Sequence, residues 1–155
     1  MLAVLQLACA LISIGGSAAM AGTTLLVMLT ISGGCTVTTA ASNVQLPSRP
    51  TVTAGTLDIT CAHPTPYNVG LGPGSGAGAT TMARWMTGPG GALARYGLFQ
   101  DPARTANFGS TLGADTVAGI GGATPRTITV YGGVLQRAFP GSGSYADVVN
   151  VTVTF

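Results

Sequence analysis

Apolar and polar residues alternate in the segments at both ends of the chain. The C-terminal segment, residues 144–155, has an apolar residue at every second position: Val149, Val151, Val153 and Phe155. Residues 23–35 repeat this pattern with Leu25, Val27, Leu29 and Ile31. A period of two is typical of a β-strand that buries one face, so both segments are predicted to be strands.

The positions of these two strands predict how the protein assembles. A strand edge with large apolar side chains is an aggregation hazard when exposed, so the N-terminal strand must be buried against a partner. In the sequence no further strand follows the C-terminal strand to fill the place at its side. The N-terminal strand needs a partner, and the C-terminal strand has an edge with no strand paired to it. Together these features predict a subunit that polymerises head to tail.

Turn residues divide the middle of the chain into short extended segments. They cover residues 35–46, 56–61, 67–71, 80–86, 93–99 and 127–135. Short strands with turn signals at this spacing favour an all-β antiparallel sandwich or barrel, in a single domain. The glycine-rich segment 70–81 is predicted to be a loop, and it lacks the lysine that a phosphate-binding loop requires.

The composition fits this fold class and excludes others. Glycine accounts for 24 of 155 residues, only 6% of the chain is charged, and Lys and Glu are absent. A hydrophobic fraction of 46% is the opposite of the signature of a disordered chain. The formal net charge is +2 and the six arginines are spread singly, so no basic patch for nucleic acid is predicted.

The first residues predict export. Residues 1–21 are uncharged and end in Ala19-Met20-Ala21, the small-x-small pattern of a signal-peptidase site. The predicted division is therefore a signal peptide over 1–21, the N-terminal strand segment over 22–34 and a folded domain over 35–155. A membrane anchor remains the alternative, because residues 1–32 carry no charge and are long enough to span a bilayer.

Two cysteines remain once Cys9 leaves with the signal peptide. Cys35 and Cys61 form an even pair in an oxidising compartment, which predicts a disulfide. Closing that loop should stabilise the fold by about 3 to 4 kcal/mol in the chain-entropy model. Together with His63 they are too few and too badly spaced for a zinc site, so no metal is expected.

Few residues could carry out catalysis. His63 is the only histidine, and the prolines beside it predict a turn. The four aspartates are dispersed and are predicted to cap turns or to face solvent: Asp58, Asp101, Asp115 and Asp147. Trp85 and the tyrosines are predicted to fill the core. The residues therefore predict a protein that is not an enzyme, with no catalytic residue and no cofactor.

Several motifs together resemble a known family. They are TC at 60–61, PYNVGL at 66–71, ARWM at 83–86, LARYGLFQD at 93–101, NFG at 107–109, TVYGGVL at 129–135 and PGSGSYADVVNVTVTF at 140–155. With the N-terminal LTISGGCTV, they resemble the spore coat protein U domain family, the subunits of archaic chaperone-usher pili. The resemblance covers most of the chain from Ile31 to Phe155.

The resemblance implies an incomplete immunoglobulin-like sandwich that lacks its last strand and is completed by a strand from outside. The donor would be the strand of Leu25, Val27, Leu29 and Ile31. The edge of the acceptor groove would be the strand of Val149, Val151, Val153 and Phe155. Such pairing is β-augmentation, in which main-chain hydrogen bonds give affinity and pockets for alternate side chains give specificity.

The partners and location that the resemblance implies follow from this assembly. A periplasmic chaperone would lend a strand first, and at the outer-membrane usher the N-terminal strand of a homologous subunit would replace it. The expected location is the surface of a Gram-negative bacterium, and the expected role is a pilus for adhesion or biofilm formation. The alternative is a secreted or membrane-anchored binding module of the same fold that stays monomeric, with its own N-terminal strand folded back into its own groove.

Overall fold

β-Strands are the main regular secondary structure of the described residues. The computed structural model describes residues 22–29, 34–40, 44–45, 54–135, 141 and 143–155. Its ten strands are β1 (Gly22–Leu29), β2 (Cys35–Ala40), β3 (Val44–Gln45), β4 (Ala54–Cys61), β5 (Thr65–Leu71), β6 (Arg84–Thr87), β7 (Leu93–Phe99), β8 (Val117–Gly121), β9 (Arg126–Val134) and β10 (Ala146–Thr154). One 3₁₀ turn lies at Pro89–Gly91.

The strands form one continuous hydrogen-bonded network. Its order is β2-β4-β9-β7-β6-β10-β1-β3, and β5 joins β10 to β8. All pairings among these strands are antiparallel except that of β1 with β10, which is parallel. The buried hydrophobic residues of these strands form one core cluster.

Alternation along the strands produces that core. On β4, Leu57 and Ile59 are buried, while the alternate residues Thr56, Asp58 and Thr60 are partly exposed. The same pattern on the other strands gives a single cluster: Cys35, Val37, Leu57, Ile59, Cys61, Tyr67, Val69, Leu71, Met86, Ala94, Tyr96, Leu98, Phe108, Val130, Tyr145, Val149 and Val151. Phe108, fully buried, reaches the core from a loop, where its N–H donates to the carbonyl of Leu98.

The all-β class predicted from the sequence is confirmed. The segment 93–99 is a strand over the predicted residues, and 127–135 differs from β9 by one residue at each end. The predicted strand 80–86 is shorter at its start, because regular pairing begins only at Arg84. Strand β8 was not predicted, because its two glycines weaken the strand pattern.

The N-terminal predictions lie partly outside the described residues. The proposed signal peptide, residues 1–21, is in the part of the chain that the structure leaves undescribed, and so is Ile31. Within the described ranges no helix is long and apolar enough to cross a membrane.

Candidate strand-accepting site

The candidate functional site is the edge of β10 that faces β1. Val149 and Val151 are 0% and 1% exposed, whereas Asn150 and Thr152 on the opposite face are exposed. Val153 is half-buried, and Phe155 lies beyond the end of the strand with 49% of its surface exposed. The buried apolar strip of this edge therefore consists of two fully buried valines and a third at its margin.

Strand β1 lies along this edge in parallel. Its register places Leu25 opposite Asp147, Val27 opposite Val149, and Leu29 opposite Val151. Directly opposed residues lie on the same face of a sheet, so the backbone puts these three positions on the face that β10 turns to the core. Leu26 and Met28 stand opposite Val148 and Asn150, on the other face.

The other edge of β10 is shared between two strands. Residues Val151 to Thr154 pair with β5, and Ala146 pairs with Thr87 of β6. Between them the N–H of Gly72 still donates to the carbonyl of Asn150 at 2.8 Å, and then the glycine-rich loop leaves the sheet. The loop over residues 72–83 therefore connects β5 and β6, the two strands that pair with different parts of this edge of β10.

A disulfide fixes the strand that follows β1. Cys35 of β2 and Cys61 of β4 are directly paired residues, with a Cα–Cα distance of 3.9 Å and an S–S bond of 2.05 Å. Both are buried, at 3% and 1% exposure. The predicted disulfide is confirmed, and it ties the N-terminal end of β2 covalently to the sandwich.

The start of β10 carries a buried carboxylate. Asp147 is only 3% exposed. Its Oδ1 accepts from the backbone N–H and the hydroxyl of Ser75, at 2.8 and 2.7 Å, and from the N–H of Val148 at 2.8 Å. Its Oδ2 accepts the Tyr96 hydroxyl at 2.6 Å. Burial of a charge is tolerated when its lone pairs are used in this way.

The glycine-rich loop can approach the Asp147 carboxylate closely only because Gly74 has no side chain. Gly74 has a φ of +90°, and a Cβ there would lie 2.0 Å from Asp147 Oδ2. The loop residue Gly74 and its neighbour Ser75 are therefore fitted to the carboxylate. The strand, the loop and β7 meet at Asp147.

A buried arginine also binds the backbone of this loop. Arg84, the first residue of β6, is 0% exposed. Its guanidinium donates to four backbone carbonyls: Gly72 at 2.8 Å, Thr81 at 2.5 Å, Leu71 at 3.0 Å and Phe108 at 2.8 Å. It thereby joins the end of β5, the end of the loop and the segment at Phe108.

Burial shifts the pKa values of Tyr96 and Arg84. Removal from water raises the pKa of Tyr96 far above its usual range, and the hydrogen bond to Asp147 and the charge of that carboxylate add to the effect. Burial also lowers the pKa of Arg84 from its usual value, against the attraction of Tyr96 and Asp147. The phenol of Tyr96 therefore stays neutral and donates its proton in the hydrogen bond to Asp147.

The remaining polar residues have local structural roles. Asp101 accepts from the backbone N–H groups of Ala106 and Thr105, and these bonds, that of Ala106 first, lower its pKa. Asp115 accepts from the amide of Asn107 and the N–H of Thr111. His63 lies at a bend, where a turn was predicted, and it is exposed. Among the described residues no group of three His, Cys, Asp or Glu could hold a metal ion.

Two charged residues in the described part of the chain, Arg84 and Asp147, are buried, and the sequence did not predict this. Asp147 was expected in a turn or on a solvated face, and this expectation is wrong because Ser75 and Tyr96 surround it in the fold. The buried role of Arg84 was not foreseen either. The only signal was position: each occupies an inward-facing place on its strand, next to buried apolar residues.

Comparisons with known proteins agree with this architecture. One chain of the crystal structure of the CsuC–CsuE chaperone–tip adhesion subunit pre-assembly complex, from archaic chaperone-usher Csu pili of Acinetobacter baumannii, has the same fold. The TM-score is 0.57 at 19% sequence identity, over 81% of this chain and 41% of that one. This chain thus spans about two-fifths of the length of the structure it resembles. A comparison with curated proteins found no match.

A family match covers almost the whole of this fold. The Spore Coat Protein U domain model matches residues 21–152, which include β1, the disulfide and nearly all of β10. The immunoglobulin-like sandwich implied by the resemblance is the fold that the structure has. The chain therefore belongs to the Spore Coat Protein U domain family.

Proposed function

We propose that this protein is a structural subunit of an archaic chaperone-usher pilus that polymerises by donor-strand exchange. The observation that carries the proposal is the edge of β10, which has a buried valine strip and takes a strand along it at the position of β1. Family membership and the fold shared with a chain of a chaperone–subunit complex support it.

In this proposal the strand beside β10 comes from a neighbouring subunit in the fibre. The donor positions Leu25, Val27 and Leu29, with Ile31 as the next in the pattern, fill places along the accepting edge. Burying three such aliphatic side chains is worth about 5 to 9 kcal/mol as an upper estimate, before the main-chain ladder is added. A periplasmic chaperone occupies the edge before assembly, and an outer-membrane usher catalyses the exchange.

The proposed fibre lies on the surface of a Gram-negative bacterium, where it serves adhesion or biofilm formation. The protein reaches that location through the periplasm after removal of residues 1–21. The confirmed disulfide is consistent with this route, because the periplasm is an oxidising compartment.

One substitution pair tests the donor strand. Leu29→Asp puts a carboxylate on the core face, opposite Val151, at a cost of several kcal/mol. Met28→Asp is the matched control, because residue 28 stands opposite the exposed Asn150 on the other face. We expect Leu29→Asp to accumulate as a chaperone-bound monomer with its disulfide intact, and Met28→Asp to form fibres.

The readouts are electron microscopy of surface fibres, with mass spectrometry of their subunits, and denaturation-resistant ladders on gels. Normal fibres from Leu29→Asp would show that this segment is not the donor. Failure to recover Leu29→Asp with any chaperone would also contradict the assignment, since the chaperone supplies its own strand.

The monomeric binding module remains the second candidate, because β1 lies beside β10 of its own chain. In that case the mature protein elutes as a monomer in size-exclusion chromatography and forms no ladder. The pilus subunit forms ladders that resist mild denaturation.

A further inference from the structure

We propose that the cleft between β8 and β9 is a binding site for a neutral, hydroxyl-bearing ligand of the saccharide class, and that the buried hydroxyl of Tyr67 binds it. None of the described residues that line this cleft belongs to β1 or β10. The inference is therefore independent of the proposed function. Neither the family match nor the fold comparison assigns a ligand to these residues.

The cleft lies where two strand edges have no strand beside them. Among the described residues β8 pairs only with β5, and β7 pairs with β9 only from Tyr131 to Val134. The first half of β9, residues 126–130, therefore pairs with β4 alone. Between these edges the surface opens into a cleft of about 640 Å³, a size typical of ligand pockets.

The ring of Tyr67 packs in the core and its hydroxyl end reaches β8. Tyr67 lines the cleft, is only 3% exposed, and stands opposite Gly119 of β8. A Cβ at residue 119 would lie 2.5 Å from the phenol oxygen. The end of the ring therefore lies directly on β8, at a point where that strand has no side chain.

The hydroxyl of Tyr67 differs from those of the other buried tyrosines. Tyr96 donates to Asp147 at 2.6 Å, and Tyr145 donates to the carbonyl of Gly141 at 3.0 Å. In the part of the chain that the structure describes, no group hydrogen-bonds the hydroxyl of Tyr67. Burying a hydroxyl without a partner costs free energy, and a ligand that hydrogen-bonds it recovers that cost.

The other polar residues of the cleft narrow the chemistry of the ligand. Gln100 donates its amide nitrogen to the carbonyls of Asn107 and Asp115, so its amide oxygen is the atom left to accept from a ligand. None of the polar residues of the lining is acidic: Tyr67, Gln100, Arg126, Thr127, Thr129 and Tyr131.

This lining fits a neutral polyhydroxyl compound better than the alternatives. A cationic ligand would meet no carboxylate in it, and an anion would find a single cation, the exposed Arg126. A wholly apolar ligand would leave the hydroxyl of Tyr67 without a partner. The hydroxyl groups of a sugar both donate and accept, and its C–H groups can pack on Val117 and Ile128.

Titration calorimetry of the purified full chain tests the site, with methyl galactoside, methyl mannoside and N-acetylglucosamine as probes. Tyr67→Phe removes only the hydroxyl. Tyr145→Phe is the matched control, because the buried hydroxyl that it removes has Gly141 as its partner, outside the cleft. We expect at least one sugar to bind, Tyr67→Phe to weaken that binding at least about fivefold, and Tyr145→Phe to leave it unchanged. Binding of none of the three sugars, or equal affinity in Tyr67→Phe, would overturn the proposal.

Denaturant unfolding supplies a readout that needs no ligand. The midpoint should be unchanged or higher in Tyr67→Phe, because the hydroxyl has no partner to lose, and lower in Tyr145→Phe. Equal decreases in the two variants would show that the fold itself uses the Tyr67 hydroxyl, and would contradict the proposal.

Inorganic phosphate is the probe for an anion site. We expect no phosphate binding, in keeping with a neutral ligand. Phosphate binding that is lost in Arg126→Met and retained in Tyr67→Phe would overturn the ligand class.

Discussion

Replacing Arg84 tests whether its buried guanidinium holds the glycine-rich loop beside β10. Arg84→Met keeps a chain of similar length and deletes the four hydrogen bonds to the carbonyls of Leu71, Gly72, Thr81 and Phe108. The methionine fills most of the space, so the main effect is on hydrogen bonding and not on packing.

The magnitude follows from the burial of the acceptors. The bonds to the carbonyls of Leu71 and Phe108 are buried, and a buried acceptor left without a partner costs about 1 to 3 kcal/mol. Two such groups give a loss of about 2 to 6 kcal/mol, and the methionine recovers a part because no charge then has to be desolvated. We expect the free energy of unfolding to fall by about 3 kcal/mol.

The assay is denaturant unfolding with the disulfide intact, in which the midpoint should fall while the slope is unchanged. Arg84→Lys should lose an intermediate amount, because an ammonium has three donors on one atom and cannot span the four carbonyls. The control is Arg126→Met, at the exposed first residue of β9, with an expected change within about 0.5 kcal/mol. A loss in Arg84→Met no larger than that of the control would refute the role given to this guanidinium.

Three further predictions concern the disulfide, the packing around it and the buried phenol. Replacing Cys35 and Cys61 by serine should lower stability by about 3 to 4 kcal/mol, measured by unfolding with and without reductant. Gly121→Ala should cost about 1 to 3 kcal/mol, because its Cβ would lie 2.1 Å from the Cys61 sulfur. Gly122→Ala is its control, since nothing lies within 4 Å of that Cβ; equal costs would contradict the packing argument. Since the pKa of folded Tyr96 lies above the unfolded value of about 10, its contribution is complete below that pH and is lost as pH rises further. Unfolding measured from about pH 9 to 11 should show a shallower decline for Tyr96→Phe, and equal slopes would count against this assignment.

The sequence determined the features that depend on neighbouring residues. The alternation in the C-terminal segment predicted that Val149 and Val151 share a face, and both are buried while Asn150 is exposed. The two cysteines that would remain after removal of the predicted signal peptide predicted the Cys35–Cys61 bond. Such features are readable because side-chain direction in a strand repeats every two residues and a pair of thiols has one possible partner each.

Only the tertiary structure decided the features that need groups from distant segments. Asp147 reads as a solvated turn residue in sequence, and its burial depends on Ser75 and Tyr96, which arrive from another loop and another strand. Arg84 is buried because four carbonyls from three segments converge on it. Strand β8 forms because β5 pairs with it, although its glycines have little strand preference of their own. Hydrogen-bond partners of buried charges are set by how the chain folds over itself, and no local pattern encodes them.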